Sequence, residues 1–304
     1  MRWAQKKKIY LITFLLALTI FIRYEYGSGN PIRLDENWEV SPYPFEYNGS
    51  IRFIEEYINV TFDTKKADII AVYTFENLNN TPCSTTILIP YLNQYNNSNR
   101  PVITKLLLDG NNLNYEWKYL AENFSIIYKP ASMWGGDKTY YLVELKIPFE
   151  ANETKVVEIH YTREYQRYDY SDNDKIYYDY KYFVGSARLW NQSIEKAEFN
   201  FWVPKSICDN IQEIKENWYP DYLGNNTSNI TEYGNYYYLR VKYENWSLPV
   251  IQDDHYYIYQ DFIEIRWKEM KPFYLTASFQ MLLWIFIIPG IGITSLIVLA
   301  NKWH

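Results

Sequence analysis

Apolar and polar residues alternate over short runs along most of this chain, and a period of two is the pattern of a strand with one face buried. Ile58, Val60 and Phe62 alternate with Asn59 and Thr61, while Ala67, Ile69, Ala71, Tyr73 and Phe75 face away from Asp68, Thr74 and Glu76. Further strands are predicted at 85–91, 102–109, 113–120, 124–129, 139–148, 155–164, 176–185, 194–203, 236–244 and 256–267. In the 139–148 run Tyr141, Val143, Leu145 and Ile147 share a face, and Asp109-Gly110-Asn111-Asn112 supplies a hairpin turn. Tyrosine occupies 33 of the 304 positions, which suits strands better than helices. The expected fold is mainly β, an antiparallel β-sandwich.

One short helix is expected among these strands. Ile207, Ile211, Ile214 and Trp218 recur at helical spacing behind Ser206, a good N-cap, and ahead of Pro220. The polar stretch 166–175 lacks apolar periodicity and marks a boundary between two packed subdomains, 30–165 and 166–271. The segment Gly224 to Gly234, dense in Asn and Thr, is expected to be a glycan-bearing loop. Ile89-Pro90, Ile147-Pro148 and Val203-Pro204 are expected to mark points where strands leave their sheets.

The two ends differ from this middle. From Phe279 to Ala300 no charge interrupts 22 residues, long enough as a helix to cross the roughly 30 Å hydrocarbon core. A transmembrane helix within 272–300 and a cytoplasmic tail at 301–304 are expected. Pro289, Gly290 and Gly292 interrupt the span; they are a tolerated kink or the contact point for a second helix. Residues 1–29 carry Lys6, Lys7 and Lys8 before a 14-residue apolar run, the plan of a signal peptide cut before Asn30 or of an uncleaved signal anchor. Either way the middle of the chain is expected outside the cell and both tips inside.

Chance would place roughly three Asn-x-Ser/Thr sequons among the 27 asparagines, but there are eleven: Asn48, Asn59, Asn79, Asn96, Asn123, Asn152, Asn191, Asn225, Asn226, Asn229 and Asn245. All lie between the apolar ends, where a glycosyltransferase working outside the cytoplasm reaches them. Cys83 and Cys208 fall in the same region and are expected either to pair in an oxidising exterior or to remain two buried thiols. Between residues 30 and 271 there are 24 basic and 35 acidic side chains, a net charge of −11 that excludes nucleic acid as a partner. The expected partners are the lipid bilayer and a membrane protein or a second copy of the chain. Low Gln, Met and Cys beside abundant Ile, Tyr and Lys suggest an archaeal source.

Tyr73-Thr74-Phe75-Glu76-Asn77, the later Ile89-Pro90, and Ala187-Arg188-Leu189-Trp190 followed by Ile194-Glu195-Lys196-Ala197 resemble secreted prokaryotic β-sandwich ectodomains of unknown function. The resemblance spans about residues 50 to 267. It implies a sandwich and carries over no catalytic residue.

Catalytic signals are sparse. Histidine occurs only at 160, 255 and 304, without the paired spacing of a metal site, and neither a Gly-x-Ser-x-Gly elbow nor a phosphate-cradling glycine loop is present. No cofactor is expected. The best metal candidate is the acidic stretch holding Asp169, Asp172 and Asp174, whose oxygens suit Ca²⁺ but lack an EF-hand's Gly and closing Glu; solvated loop charge explains it as well. Tyrosines at 140 and 141, 177 and 178, 180 and 182, 236 to 238, and 256, 257 and 259 suggest a platform for sugars or proteins, or simply the outer face of a sheet. A binding or structural protein of the cell envelope is therefore expected ahead of an anchored hydrolase of surface glycans or peptides.

Overall fold

The computed structural model describes residues 38–40, 42–44, 49–93, 101–120, 139–169, 175–184, 190, 193–208, 210–216, 218, 226–246, 262–270, 279 and 281. The chain divides into two compact units, one of 35–167 with 177–269 and another of 1–34, 168–176 and 270–304. The first holds most of the described strands; of the second, 168–169, 175–176, Met270, Phe279 and Met281 are described. Among the described residues no helix is long and apolar enough to cross a membrane. The expected 279–300 span, apart from Phe279 and Met281, lies outside them, as do the N-terminal segment and the 124–129 strand.

The protein is mainly β. In chain order the strands are β1 (Trp38–Val40), β2 (Tyr43–Pro44), β3 (Ile51–Phe62), β4 (Lys66–Asn77), β5 (Cys83–Asn93), β6 (Val102–Leu108), β7 (Asn111–Asn112), β8 (Glu116–Leu120), β9 (Thr139–Phe149), β10 (Thr154–Glu164), β11 (Gln166–Asp169), β12 (Lys175–Phe183) and β13 (Ile194–Pro204). The helix α1 (Ile211–Glu216) follows, then β14 (Asn226–Tyr233), β15 (Tyr236–Trp246) and β16 (Phe262–Met270). They form two open sheets. Sheet I has the order β11-β12-β1-β5-β9-β8, with β16 also on β12 and β2 on β5; sheet II runs β14-β15-β13-β3-β4-β10-β6-β7.

Alternation puts Ala197, Phe199, Phe201 and Val203 of β13 and Leu239, Val241 and Tyr243 of β15 on the buried face of sheet II, where each fully buried ring or branched chain contributes about 1.5–3 kcal/mol. Rings from the two sheets interdigitate there. Phe62 meets Tyr180 and Trp267, Tyr180 meets Phe201, Tyr182 meets Phe199, and Tyr91 meets Tyr161 edge-on, all with ring centres 4.8–5.9 Å apart. A bulge between Phe53 and Glu55 changes the parity of β3, so that Phe53 and Ile58 both point inward and Glu56 does too. Its buried carboxylate accepts a hydrogen bond from the Tyr182 hydroxyl at 2.8 Å.

Several expectations are corrected. Neither sheet is purely antiparallel: β3 runs parallel to β13, and β1 parallel to β12. Residue 165 does not separate the sheets, because strands from both sides of it are interleaved in each. The Asn- and Thr-rich segment expected as a loop contains the edge strand β14, zipped to β15 from Asn226 to Tyr233. Pro90 and Pro148 sit within the paired registers of β5 and β9, and only Pro204 ends its strand. Asn210 rather than Ser206 caps α1, its Oδ1 accepting from the Glu213 amide at 3.0 Å. Asp109 and Gly110 form the expected hairpin turn, both at positive φ.

No disulfide joins Cys83 and Cys208. Cys83 opens β5 beside Phe149, at the end of the sheets where Asn77 and Ser50 meet, whereas Cys208 follows the C-terminal end of β13, beside the end of β3. The twelve residues of β3, roughly 36 Å at strand rise, lie between those ends, far beyond disulfide reach.

Candidate binding surface

The outer face of sheet II carries the most organised set of side chains. Cross-strand register decides its content: Glu198, Asn200 and Trp202 of β13 lie opposite Lys242, Arg240 and Tyr238 of β15 on one side and Tyr57, Asn59 and Thr61 of β3 on the other. At the edge, β14 sets Asn229 opposite Arg240, Thr231 opposite Tyr238 and Tyr233 opposite Tyr236. Residues two apart share a face, so these side chains stand together.

Trp202 is the hub. Its ring packs against Tyr238 at 4.4 Å and 35°, and meets Tyr233 and Tyr236 edge-on at 5.8 and 6.2 Å. Its indole N–H donates to Asn59 Oδ1 at 2.9 Å. Tyr233 is 67% exposed beside the Gly234 turn, so the cluster opens to solvent at the hairpin end of the sheet.

A polar network holds the Tyr238 end of the cluster. Arg240 Nη2 donates to Glu198 Oε2 at 2.8 Å, Asn200 Nδ2 donates to Glu198 Oε1 at 3.2 Å, and the Tyr238 hydroxyl donates to Asn200 Oδ1. Asn200 is only 2% exposed although it faces outward, so its amide is committed to these partners. Burial pushes the Glu198 carboxyl up, but the hydrogen bonds from Arg240 and Asn200 outweigh it and hold the group below the usual carboxylate range. Burial, and then the Glu198 charge, raises the Tyr57 hydroxyl above its ordinary value; burial does the same for Tyr238. Both tyrosines are therefore neutral donors near neutral pH.

Sheet I carries a different cluster on β12 and β16. Asp179 and Glu264, 2% and 5% exposed, are clamped by Lys181 at 3.7 and 3.6 Å and by Arg266 at 3.5 and 2.5 Å. Burial raises Asp179 to about 7, Lys181 opposes it, Glu264 adds to it and Arg266 opposes it. Two carboxylates of this kind would suit acid chemistry if substrate reached them, but both are closed from solvent. The described pocket, about 310 Å³ and lined by Asn114, Tyr115, Glu116, Glu144 and Lys146, does not include them.

Of the residues anticipated from sequence, Tyr236 and Tyr238 join the aromatic cluster, whereas Tyr178, Tyr180 and Tyr182 are core. Trp202, Glu198, Asn200 and Arg240 were missed, although Trp202 at a position out of phase with Phe199, Phe201 and Val203 was the available signal. Asn59, Asn79, Asn152, Asn226, Asn229 and Asn245 lie in the described residues; Asn79, Asn152, Asn229 and Asn245 are exposed, and Asn152 and Asn245 have positive φ. The other five sequons fall outside them. Asp169 closes β11, and Asp172 and Asp174 are outside the described residues, among which no cluster of potential metal ligands occurs.

No family model and no curated protein matches the chain. Its structure is similar to that of a Legionella pneumophila protein described as nutrient-binding, with a TM-score of 0.51 and 13% identity over 78% of this chain and 72% of that one. Weaker similarity extends to an M1 zinc metallopeptidase from Deinococcus radiodurans (TM-score 0.34, 11% identity, 72% and 42% coverage). Leukotriene A4 hydrolase from Saccharomyces cerevisiae is alike to a similar degree (0.36, 10%, 76% and 31%). The chain spans less than half of either enzyme, and at these scores they say nothing about activity. The first likeness concerns the fold.

Proposed function

We propose that this chain is a membrane-anchored, glycosylated extracellular protein that binds uncharged saccharide through the Trp202 cluster of sheet II. The 279–300 segment is its anchor, and the excess of sequons gives its side of the membrane. The observation that carries the binding role is the ring cluster itself: Trp202, Tyr233, Tyr236 and Tyr238 are gathered at one end of a sheet face, with Trp202 hydrogen-bonded to Asn59 and Tyr238 to Asn200. Pre-fixed rings lose little conformational freedom when a sugar ring stacks on them, and tyrosine hydroxyls at the rim offer hydrogen bonds. The net charge of −11 between residues 30 and 271 disfavours polyanionic glycans. A nutrient-binding description of a protein with a similar fold is consistent with a ligand-binding role.

Titration of the full chain in detergent with a panel of neutral oligosaccharides tests this. Saturable binding that falls at least ten-fold in Trp202→Ala, with folding retained, is expected. Binding unchanged by that substitution, or absent from the whole panel, overturns it.

A further inference from the structure

Among the described sequons, Asn59 stands apart. It lies mid-strand in β3, at the centre of sheet II, in the run Tyr57-Ile58-Asn59-Val60-Thr61. Residues two apart share a face, so the Tyr57 ring, the Asn59 amide and the Thr61 hydroxyl line up on the outside, with Asn200 opposite Asn59. No other sequon of the chain has an aromatic residue two positions before its Asn that also faces outward; Tyr243 stands two before Asn245 but is buried.

The hydrogen bond from Trp202 settles which way the Asn59 amide points. An indole N–H only donates, so the atom facing it at 2.9 Å is the carbonyl oxygen. That leaves Nδ2 directed away from the indole, and Nδ2 is the atom that carries an N-linked sugar. Attachment there keeps Oδ1 as an acceptor, so the Trp202 bond survives modification. Tyr57 is 40% exposed, and Asn200 is among its hydrogen-bond partners, so its ring is a partly fixed, open surface beside the attachment point.

We infer that Asn59 is glycosylated and that its first sugar is seated on the Tyr57 ring, on the opposite side of Asn59 from the Trp202 cluster. This rests on the extracellular placement proposed above. In the transfer, Nδ2 bonds to C1 of the sugar of a lipid-linked oligosaccharide phosphate. The phosphate leaves with the electrons of the broken C1–O bond, and the proton lost from Nδ2 passes to base. The same seat bounds the ligand surface: the glycan covers the β3 side of the face and leaves Trp202, Tyr233, Tyr236 and Tyr238 open.

Glycopeptide mass spectrometry of the full chain from its native membranes, with and without prior denaturation and endoglycosidase treatment, tests the inference. The Asn59 peptide is expected to be modified, and its glycan released about three- to ten-fold more slowly from native than from denatured protein, the range a ring contact gives. In Tyr57→Ala that protection is expected to disappear while the Asn79 and Asn229 glycans behave as before. An unmodified Asn59 in a protein whose other sequons are occupied overturns the inference and leaves the extracellular placement standing. Bare sequons throughout overturn both, and unchanged protection in Tyr57→Ala overturns the seat.

Discussion

Replacing Asp179 by Asn should remove a specific pH dependence from the protein's stability. Burial holds the Asp179 carboxyl near 7, against an ordinary Asp near 3.9 in the unfolded chain. Between those two values the folded protein binds more protons than the unfolded one, so stability falls as pH rises through the window. About three pH units at 1.36 kcal/mol each give at most about 4 kcal/mol lost between pH 4 and 7. An Asn at 179 is isosteric and uncharged, and Glu264 still pairs with Lys181 and Arg266. Urea unfolding of the full chain in detergent, followed by tryptophan fluorescence at half-unit pH steps, gives the comparison. The substituted protein should gain stability relative to the parent as pH rises, approaching the 4 kcal/mol bound by pH 7. Parallel pH profiles for the two proteins would show that Asp179 stays ionised throughout the window.

Asn77 is fully buried and ties the end of β4 to the neighbouring turns, donating to the Thr81 and Glu150 carbonyls and accepting from the Asn79 amide. Asn77→Ala should therefore cost about 2–4 kcal/mol in urea unfolding; a loss below 0.5 kcal/mol would mean that water replaces these bonds. Cys83 and Cys208 should both alkylate in unfolded, unreduced protein, and a linked peptide pair would contradict their placement at opposite ends of β3. Gly290→Leu with Gly292→Leu should weaken self-association or co-purification of a membrane partner without altering glycosylation, because small residues let helices approach closely; unchanged association would make the segment a passive anchor.

Strand existence was readable wherever one face is buried, as at β3, β4, β9, β13 and β15, because burial itself imposes the period of two. Pairing was not. The parallel partnership of β3 with β13 joins residues some 140 apart, as Lys196 beside Glu55, and no local pattern encodes it. Edge strand β14 escaped notice because its residues answer to solvent and to β15 rather than to a core, leaving Asn and Thr free to dominate it. Glu56 could not be placed inside from alternation alone, since the bulge that turns it inward is a property of the β3–β4 pair. For the surface, the tyrosines at 236 and 238 were visible as a group, but the partners that organise them come from β13 and β3. The Asp179–Glu264 pair was hidden for the same reason, as its members lie on strands more than eighty residues apart.

Crosslinking from within the ring cluster in native membranes tests the binding role most directly. A photoreactive aromatic residue at position 233, the exposed rim of the Trp202 cluster, should capture a saccharide or glycan-bearing partner identifiable by mass spectrometry. The same residue at Val102, which is also exposed but lies on β6 across the sheet, should capture none. Equal capture at both positions, or capture at neither, would contradict a binding surface centred on Trp202.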